Sequence, residues 1–267
     1  MLSWKYSEPT RPVKRFISNR NFVYILGVIL LATMWQVLSL WIDEEVFIFP
    51  GPFKTISYAI ELLQRPYTWR CIAATMSKML SGFLIACLLA FVLGIIAGNY
   101  PFFDQLLSPT ITVLRAVPTA SLVYLFIVLA GFKKAPLFLV VLICFPIIYE
   151  GVKAGIANVS KGIINALKVD GADFLKANFK IRLPLAIPYI IVAMATSFSL
   201  SFKIEIMAEV ITGSTNPGLG SAILGARASD PTNMVPVFAY SFIAVVIMLG
   251  IDFLSNMLKN KINANSL

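Results

Sequence analysis

Three ionisable residues inside a long apolar run are the first candidates for chemistry in this sequence. Lys203, Glu205 and Glu209 lie towards the end of the run over 183–210. Charges in a membrane-spanning helix are costly and usually face the bundle interior or water. The two glutamates are four residues apart and share a helix face, which Lys203 does not share. Two interpretations stay open: the residues lie solvated near the outer helix end or pair with Arg227, or they act in solute passage or gating.

A second candidate is Arg115, which is followed by Pro118 in the apolar run over 106–131. The pair fits an interfacial anchor with a kink, and it fits equally a lining of a solute pathway. Proline is frequent in membrane helices, so its presence does not separate the two interpretations.

The residues that most enzymes use are missing or scattered. The sequence has no histidine, which removes His-based acid–base catalysis and the commonest metal ligand. Cys71, Cys87 and Cys144 form no CxxC spacing, so we expect three packing residues without a disulfide or a metal. The chain also lacks the GxxxxGK[ST] motif of an ATPase. A membrane-embedded enzyme is therefore the weakest hypothesis.

The composition indicates a chain that is dissolved in a bilayer. Hydrophobic residues make up 58% of the chain and charged residues 13%, whereas soluble domains carry about 25% charged residues. A helix of about 20 apolar residues can cross the hydrocarbon core. We expect an all-α integral membrane protein with six transmembrane helices over 22–42, 79–98, 106–131, 135–156, 183–210 and 235–254.

The distribution of basic residues predicts the topology. Six spans put both termini on one side, and 14 of the 22 basic residues fall nearer to that side. By the positive-inside rule, residues 1–21 form a cytoplasmic tail, the C-terminus is cytoplasmic, and 22–267 form a single transmembrane domain. The polar tail argues against a cleaved signal peptide. The net charge of +9 follows mostly from topology and predicts no nucleic-acid partner.

Two segments between the spans differ from simple loops. Residues 52–64 predict a helix at the outer interface, whose apolar face carries Phe53, Ile56, Ala59, Ile60 and Leu63. Residues 212–229 are rich in Gly, Ser, Asn and Pro between two apolar spans. Such composition predicts non-helical backbone, which survives at membrane depth only where protein or a wet cavity surrounds it.

The strongest pattern lies in residues 161–188, the longest stretch on the predicted cytoplasmic side. Apolar residues alternate with lysines, and Gly171 between two short predicted helices permits a tight bend. Pro184 then opens the fifth span, because proline is tolerated in the first turn of a helix. An exposed apolar helix–turn–helix predicts a protein partner.

This stretch resembles the cytoplasmic motif of ABC importer permeases, which reads EAA, three residues, Gly, nine residues, Ile-x-Leu-Pro. Gly171 is followed at the family's spacing by Ile-Arg-Leu-Pro at 181–184, whereas 165–167 match EAA only at the alanine. The resemblance implies that about 161–182 couple to an ATPase. The coupling residues it implies are Asn165, Ala166, Leu167, Asp170, Gly171, Ala172, Phe174, Leu175, Phe179, Ile181, Leu183 and Pro184.

Three further stretches resemble the nitrate/sulfonate/taurine branch of these permeases. They are FPGP at 49–52, LRAVP at 114–118, and Ala208-Glu209 followed by PGLG at 217–220. The four motifs occur in the family's order and cover the chain from residue 49 onwards.

The resemblance implies a type I ABC importer permease fold with cytoplasmic coupling helices, in a bacterial inner membrane. It implies no catalytic site and no cofactor on this chain, with ATP and Mg²⁺ on two copies of a separate ABC ATPase. It also implies an extracytoplasmic solute-binding protein and a second permease subunit, in a homodimer unless a paralogous chain exists. The solute would be a small anion such as nitrate, a sulfonate or taurine; the alternative is a vitamin or thiamine precursor.

A secondary transporter is a further alternative. Such proteins usually show internal repeats and broken helices in both halves, and the sequence shows neither pattern. Neighbouring genes for an ATPase and a solute-binding protein would support only the ABC importer.

Overall fold

The computed structural model describes residues 20–42, 49–159, 162, 178–213 and 216–265 of the 267-residue chain. Regular structure in these residues is entirely helical. A π-helical turn, Asn178–Arg182, runs directly into the seventh helix. The α-helices are α1 (Arg20–Ile42), α2 (Pro52–Leu63), α3 (Pro66–Asn99), α4 (Pro101–Ala116), α5 (Thr119–Ala130), α6 (Ala135–Ala157), α7 (Leu183–Thr212), α8 (Leu219–Ser229) and α9 (Val235–Asn265).

Five of the six predicted spans are single helices. Helices α1, α3, α6, α7 and α9 are each long and apolar enough to cross a membrane, which confirms those predictions. The largest difference in length is in α3, which begins at Pro66 and has 34 residues. A helix of that length spans about 50 Å, so α3 extends beyond a hydrocarbon core of about 30 Å.

The third span was predicted as one helix over 106–131, and that prediction is wrong. Helix α4 ends at Ala116, α5 begins at Thr119, and the two axes are bent by 102°. Val117 between them has an extended backbone, with φ −69° and ψ 130°. Pro118 is the cause, because its ring disfavours a helical conformation of the preceding residue and its nitrogen has no hydrogen to donate.

Close contacts between small and branched residues hold α3 against α6. A Cβ atom added to Gly82 of α3 would lie 2.9 Å from Val140 of α6, and one added to Gly98 would lie 2.7 Å from Ile156. Small residues let helix backbones approach in this way in membrane bundles. The contacting residue with the higher number in α3 meets the one with the higher number in α6, so the two helices run parallel.

Helix α7 runs antiparallel to both. Gly155 of α6 packs against Ala186 of α7, and Gly151 packs against Ala193 further along. Since α3 and α6 are parallel, the chain must return across the bundle between them. Helices α4 and α5 together make that return, so the bent pair supplies the sixth crossing.

The described chain begins and finishes at the same end of the bundle. The second half of α1 meets the start of α9, where the rings of Trp35 and Phe238 lie 6.4 Å apart. Lys259 near the end of α9 donates to Thr196 in the first half of α7 at 3.1 Å. We call this end, where α3, α6 and α9 finish and α1 and α7 begin, the terminal end. The opposite end is the α8 end.

The two unusual connecting segments are both helical. The predicted helix over 52–64 is confirmed as α2. Phe53 and Ile60 of its apolar face are 78% and 56% exposed, whereas Ala59 is buried; its position at a membrane interface stays a prediction. The prediction of non-helical backbone over 212–229 holds for residues 213 and 216–218 and is wrong for the rest of the described segment, because α8 occupies Leu219–Ser229. Its Leu219 and Ala222 are buried against α9 and α3, which gives this polar sequence enough packing to form a helix.

The three cysteines are packing residues, as predicted. Cys71, Cys87 and Cys144 are all buried, and the Cys144 thiol donates to the carbonyl of Ser197 at 3.5 Å. This contact adds to the α6–α7 packing.

Candidate functional site

Glu209 stands in the last turns of α7 and is completely buried. Its exposed fraction is 0%, and one turn later α7 ends at Gly213, whose positive φ of 57° closes the helix in a left-handed conformation. The interpretation of Glu209 as a solvated residue near the helix end is therefore wrong. A buried carboxylate needs partners, and the structure supplies them from two other elements.

Three donors converge on the Glu209 carboxylate. The Lys78 ammonium group donates to Oε1 at 2.8 Å, and the Thr75 hydroxyl lies 2.9 Å from Oε2 and 3.1 Å from Oε1. The backbone N–H of Gly220 donates to Oε2 at 2.9 Å. Helix α3 contributes two of these groups because Thr75 and Lys78 are three residues apart on one face.

The same groups fix the start of α8. The Thr75 hydroxyl accepts the N–H of Leu219 at 2.8 Å, and Lys78 donates a second bond to the Pro217 carbonyl at 3.0 Å. The first N–H groups of a helix have no partner within it, and a carboxylate beside them also interacts favourably with the helix dipole. We call Thr75, Lys78, Glu209 and the backbone of 217–220 the Glu209 clamp; it joins α3, α7 and α8.

Two glycines make room for the clamp. A Cβ atom on Gly218 would lie within 2.5 Å of the Glu209 carboxylate carbon, and one on Gly220 would lie 2.6 Å from the Glu209 Cβ. Real Cβ contacts are longer than this, so a side chain at either position would displace Glu209. The PGLG sequence after Ala208-Glu209 thus has a steric cause.

Glu205 is buried without a partner, one turn before Glu209. Its exposed fraction is 0%, and neither carboxyl oxygen has a hydrogen-bond partner among the described residues. Lys203 is exposed, as expected from its different face, and lines a cavity of about 310 Å³ against α9. Arg227 is exposed, with a guanidinium nitrogen 4.0 Å from the Met234 sulfur, so the predicted pairing of the glutamates with it is wrong.

Arg115 and Pro118 lie away from these residues. Both are exposed at the bend between α4 and α5, which confirms the kink. Within the described part of the chain, no hydrogen bond or ion pair joins either of them to Glu205 or Glu209.

Most of the predicted coupling residues lie outside the described residues. These are Asn165, Ala166, Leu167, Asp170, Gly171, Ala172, Phe174 and Leu175. Phe179 belongs to the π-helical turn, and only its backbone is described.

Ile181, Leu183 and Pro184 mark the entry into α7. Ile181 and Leu183 are half-buried, and Pro184 lies in the first turn of α7, as predicted. Beside them, the Arg182 guanidinium donates to the Asn99 side-chain oxygen at the last residue of α3. Helix α3 is therefore tied to the start of α7 at the terminal end and to the end of α7 at the α8 end.

A second ion cluster lies towards the terminal end. Lys153 of α6 pairs with Asp104 of α4 and with Glu150, each at 2.9 Å. We call these three residues the Lys153 cluster. It fastens α4 to α6 beside the start of the predicted coupling segment.

Sequence reasoning missed Thr75 and Lys78. The second span was predicted to begin at residue 79, which treated Lys78 as a loop charge. Cys71, Thr75, Met79 and Gly82 are all buried on one side of α3, and their spacing of three and four residues is typical of a helix face. Following that pattern backwards from residue 79 would have placed Lys78 on a helix.

Residues 90–264 match the family described as "Binding-protein-dependent transport system inner membrane component". The chain belongs to this family. It is the membrane-spanning permease of an ABC importer, and the motif-based recognition is confirmed.

Named relatives of this permease share most of its length. A putative aliphatic sulfonates transport permease of Escherichia coli is 30% identical over 230 residues, which cover 85% of each chain. The nitrate import permease of Leptolyngbya laminosa is 29% identical over 67% of this chain and 63% of that one. The bicarbonate transport system permease of Synechocystis is 24% identical over 88% of this chain and 87% of that one.

Solved ABC transporters share the fold of the permease. An amino acid ABC transporter solved with histidines matches 73% of this chain and 94% of the solved chain, with a TM-score of 0.61 and 18% identity. An inward-facing MetNI methionine ABC transporter matches 75% of this chain and 95% of the solved chain, with a TM-score of 0.57 and 20% identity. These matches confirm the predicted importer permease fold.

Proposed function

We propose that this permease imports a small inorganic or sulfonate-type anion, which a solute-binding protein delivers from outside. The support is that relatives named for aliphatic sulfonates, nitrate and bicarbonate all carry small anions. A vitamin or thiamine precursor is the weaker alternative, because none of these names favours it. A secondary transporter does not fit, since the family is a component of binding-protein-dependent systems.

The proposed assembly has two membrane subunits, two ATPase subunits and one solute-binding protein. A second copy of this chain is the expected membrane partner unless a paralogous permease exists. ATP and Mg²⁺ would be held by the ATPase, and this chain would hold no cofactor of its own. Both termini and the segment over 161–182 would face the cytoplasm.

The observation that carries the coupling proposal is the geometry of the terminal end. Helix α6 finishes there at Ala157, and the chain returns at Asn178 beside the end of α3. The sequence between them predicts the apolar helix–turn–helix of the coupling motif, which would give an ATPase a surface on the same side as the described chain ends. The 161–182 segment is our proposed docking site.

Helix α3 offers a physical route for the coupling. A movement of the docked segment would reach Arg182, whose bond to Asn99 acts on the terminal end of α3. At its other end α3 holds α7 and α8 through the Glu209 clamp. Because a helix transmits displacement as a nearly rigid rod, ATPase closure would move the clamp and open the bundle towards the binding protein.

The test of solute class is ATP-driven uptake. The permease, its ATPase and its binding protein are reconstituted in vesicles, and uptake of nitrate, bicarbonate and ethanesulfonate is compared with uptake of thiamine. We expect one anion to accumulate with ATP and none without it. Accumulation of thiamine alone would contradict the anion proposal.

The test of coupling uses two variants and a matched control. Phe174→Ala removes an apolar anchor, and truncating a central anchor commonly costs about 2 kcal/mol, or roughly thirtyfold in ATPase affinity. Gly171→Trp obstructs the bend. Lys176→Ala changes the polar face of the same predicted helix and should bind normally. Co-elution and binding-protein-stimulated ATP hydrolysis are measured; wild-type behaviour of both test variants would refute this docking site.

A further inference from the structure

Glu205 and Glu209 are equally buried but differ in their hydrogen-bond partners. Both side chains are completely buried. Glu209 receives hydrogen bonds from a lysine, a threonine and a backbone N–H. Neither oxygen of Glu205 has a hydrogen-bond partner among the described residues. Burial of a carboxyl group without a partner carries a large desolvation cost, so its presence needs an explanation.

Two explanations fit a buried carboxyl group. Glu205 either remains a neutral acid that only fills space, or it has an ionic partner in another conformation of the protein. An importer must alternate between two conformations, so a contact absent from one of them can belong to the other. The surroundings of Glu205 decide which explanation is better supported.

Lys78 is a cation within reach of both carboxyl groups. It pairs with Glu209 at 2.8 Å. The two glutamates are one helical turn apart on one face of α7, a separation of about 6 Å. The lysine stem of four methylene groups can cover that distance. The Lys78 side chain is 22% exposed while Glu209 is fully buried, which leaves the lysine the freer of the two to move.

The direction of the helices also fits an exchange. Helices α3 and α7 are antiparallel, so Lys78 lies nearer to the terminal end than Thr75, and Glu205 lies nearer to it than Glu209. Lys78 therefore reaches towards the α8 end to make its present bonds. A swing in the opposite direction would bring its ammonium group towards Glu205.

We propose that Lys78 exchanges between Glu209 and Glu205 when the permease changes conformation, and that Glu205 is the second acceptor of a two-position latch. The proposal rests on the import function given above. One-turn shifts of a contact between two acceptors are a known form of two-state switch. Because Lys78 also holds the Pro217 carbonyl, the exchange would release the start of α8 in the same step.

Glu205→Gln is the decisive variant. Glutamine matches a neutral acid in size and polarity but cannot carry the negative charge that attracts Lys78. Ser201→Ala is the matched control, because Ser201 is buried one turn before Glu205 and its hydroxyl donates to the Phe198 carbonyl within its own helix. Each variant is purified as the full complex with ATPase and binding protein.

Three quantities are measured for each complex: assembly by co-elution, thermal unfolding, and ATP turnover stimulated by the binding protein. We expect Glu205→Gln to assemble and unfold as the wild type does, while its stimulated turnover falls at least about tenfold, a change of ~1.4 kcal/mol. In the Glu205→Gln background, Lys78→Met should then lower turnover far less than it does alone. Ser201→Ala should be unchanged in all three measurements.

Two results would overturn the latch. Wild-type turnover in Glu205→Gln would make Glu205 a permanent neutral acid. A loss of turnover that accompanies a loss of assembly would make it a structural residue. ATP turnover is measured without reference to any solute, so the latch is decided even if the wild-type complex carries none of the proposed anions. A failure of the anion proposal would therefore show in the uptake assay and leave the result for the latch unchanged.

Discussion

The Glu209 clamp and the Lys153 cluster use the same residue types at opposite ends of one helix bundle. Lys153 lies at the level of residue 95 of α3, which puts it about 25 Å from Lys78 along the axis. The ion-pair distances are alike, 2.8 Å in the clamp and 2.9 Å in the cluster. Distance therefore does not distinguish the two sites.

Burial and backbone involvement do distinguish them. Glu209 is 0% exposed, whereas the side chains of Lys153, Asp104 and Glu150 are 20%, 40% and 36% exposed. The clamp also includes N–H groups of α8, directly through Gly220 and through Thr75. Breaking a buried pair leaves an uncompensated charge, while a solvated pair is replaced by water. In the described conformation the clamp should thus be the firmer joint, which opens only when Lys78 moves to another acceptor. The cluster should be the weaker joint, because water can replace its partners.

The largest effect is expected from Glu209→Ala. The substitution removes the anion that pairs with the Lys78 ammonium group and leaves the Gly220 N–H without its acceptor, and the loss of one partner of a buried pair costs about 3–5 kcal/mol. Thermal and denaturant unfolding of the purified permease measure the change. The double variant with Lys78→Met should recover part of the loss, because it removes the stranded charge. A loss below about 1 kcal/mol would place the clamp in the class of solvated pairs.

Gly218→Ala should give the next largest effect. The added methyl group would overlap the Glu209 carboxylate, and overpacking of this kind costs roughly 1–3 kcal/mol. Gly225→Ala is the control within α8, since a Cβ there meets nothing within 4 Å. That variant should be neutral or more stable by up to about 1 kcal/mol, because alanine favours a helix over glycine. Equal effects in the two variants would contradict the steric account of PGLG.

Lys153→Met tests the Lys153 cluster, the more exposed of the two sites. Solvated ion pairs contribute at most about 1 kcal/mol, and salt screens them. We expect a small loss of stability at low salt that disappears at about 1 M salt, where the screening length is ~3 Å. A loss of stability as large as that of Glu209→Ala would remove the distinction between the two sites.

Asp230, in the connection between α8 and α9, should show the smallest effect. Its carboxylate accepts bonds from the Thr232 hydroxyl at 2.6 Å, the Thr232 N–H at 3.1 Å and the Asn233 N–H at 3.2 Å, and these bonds lower the pKa of Asp230 below 3.8. A carboxyl group whose pKa is lowered by folding stabilises the fold at pH values above its pKa in the unfolded chain. That contribution is lost as the pH falls through its pKa in the folded protein. The protection of the Thr232 and Asn233 amides against exchange, relative to an unstructured peptide at the same pH, should therefore be constant near neutral pH and fall only in strong acid. Asp230→Asn should abolish that acid-induced loss of protection.

The sequence predicted the spans better than their connections. Long apolar runs have one stable state in a bilayer, so α1, α6 and α7 were expected nearly as they are. Helix α9 begins where predicted but continues to Asn265. The sharpness of the bend at Pro118 and the helix α8 were not predicted, for a shared reason. Whether a proline bends a helix or a glycine-rich segment forms one depends on the packing around it, which local composition does not contain.

The candidate site was predicted in part. The shared face of Glu205 and Glu209 follows from their spacing alone, and the structure confirms it. Their partners could not be predicted, because Lys78 is 131 residues distant from Glu209 in the chain. Even the correct helix register would not have shown that Lys78 pairs with Glu209 and leaves Glu205 without a partner, since that choice depends on the antiparallel packing of α3 and α7.

The most direct test of the central claim compares Glu209→Gln with Glu150→Gln in vesicles that contain the permease, its ATPase and its binding protein. Both variants remove one negative charge and keep the side-chain shape. If the buried clamp is the stronger and functionally coupled of the two sites, both complexes should assemble, ATP-driven anion uptake by Glu209→Gln should fall at least about tenfold, and uptake by Glu150→Gln should stay within about twofold of wild type. Equal uptake by the two variants would contradict this claim.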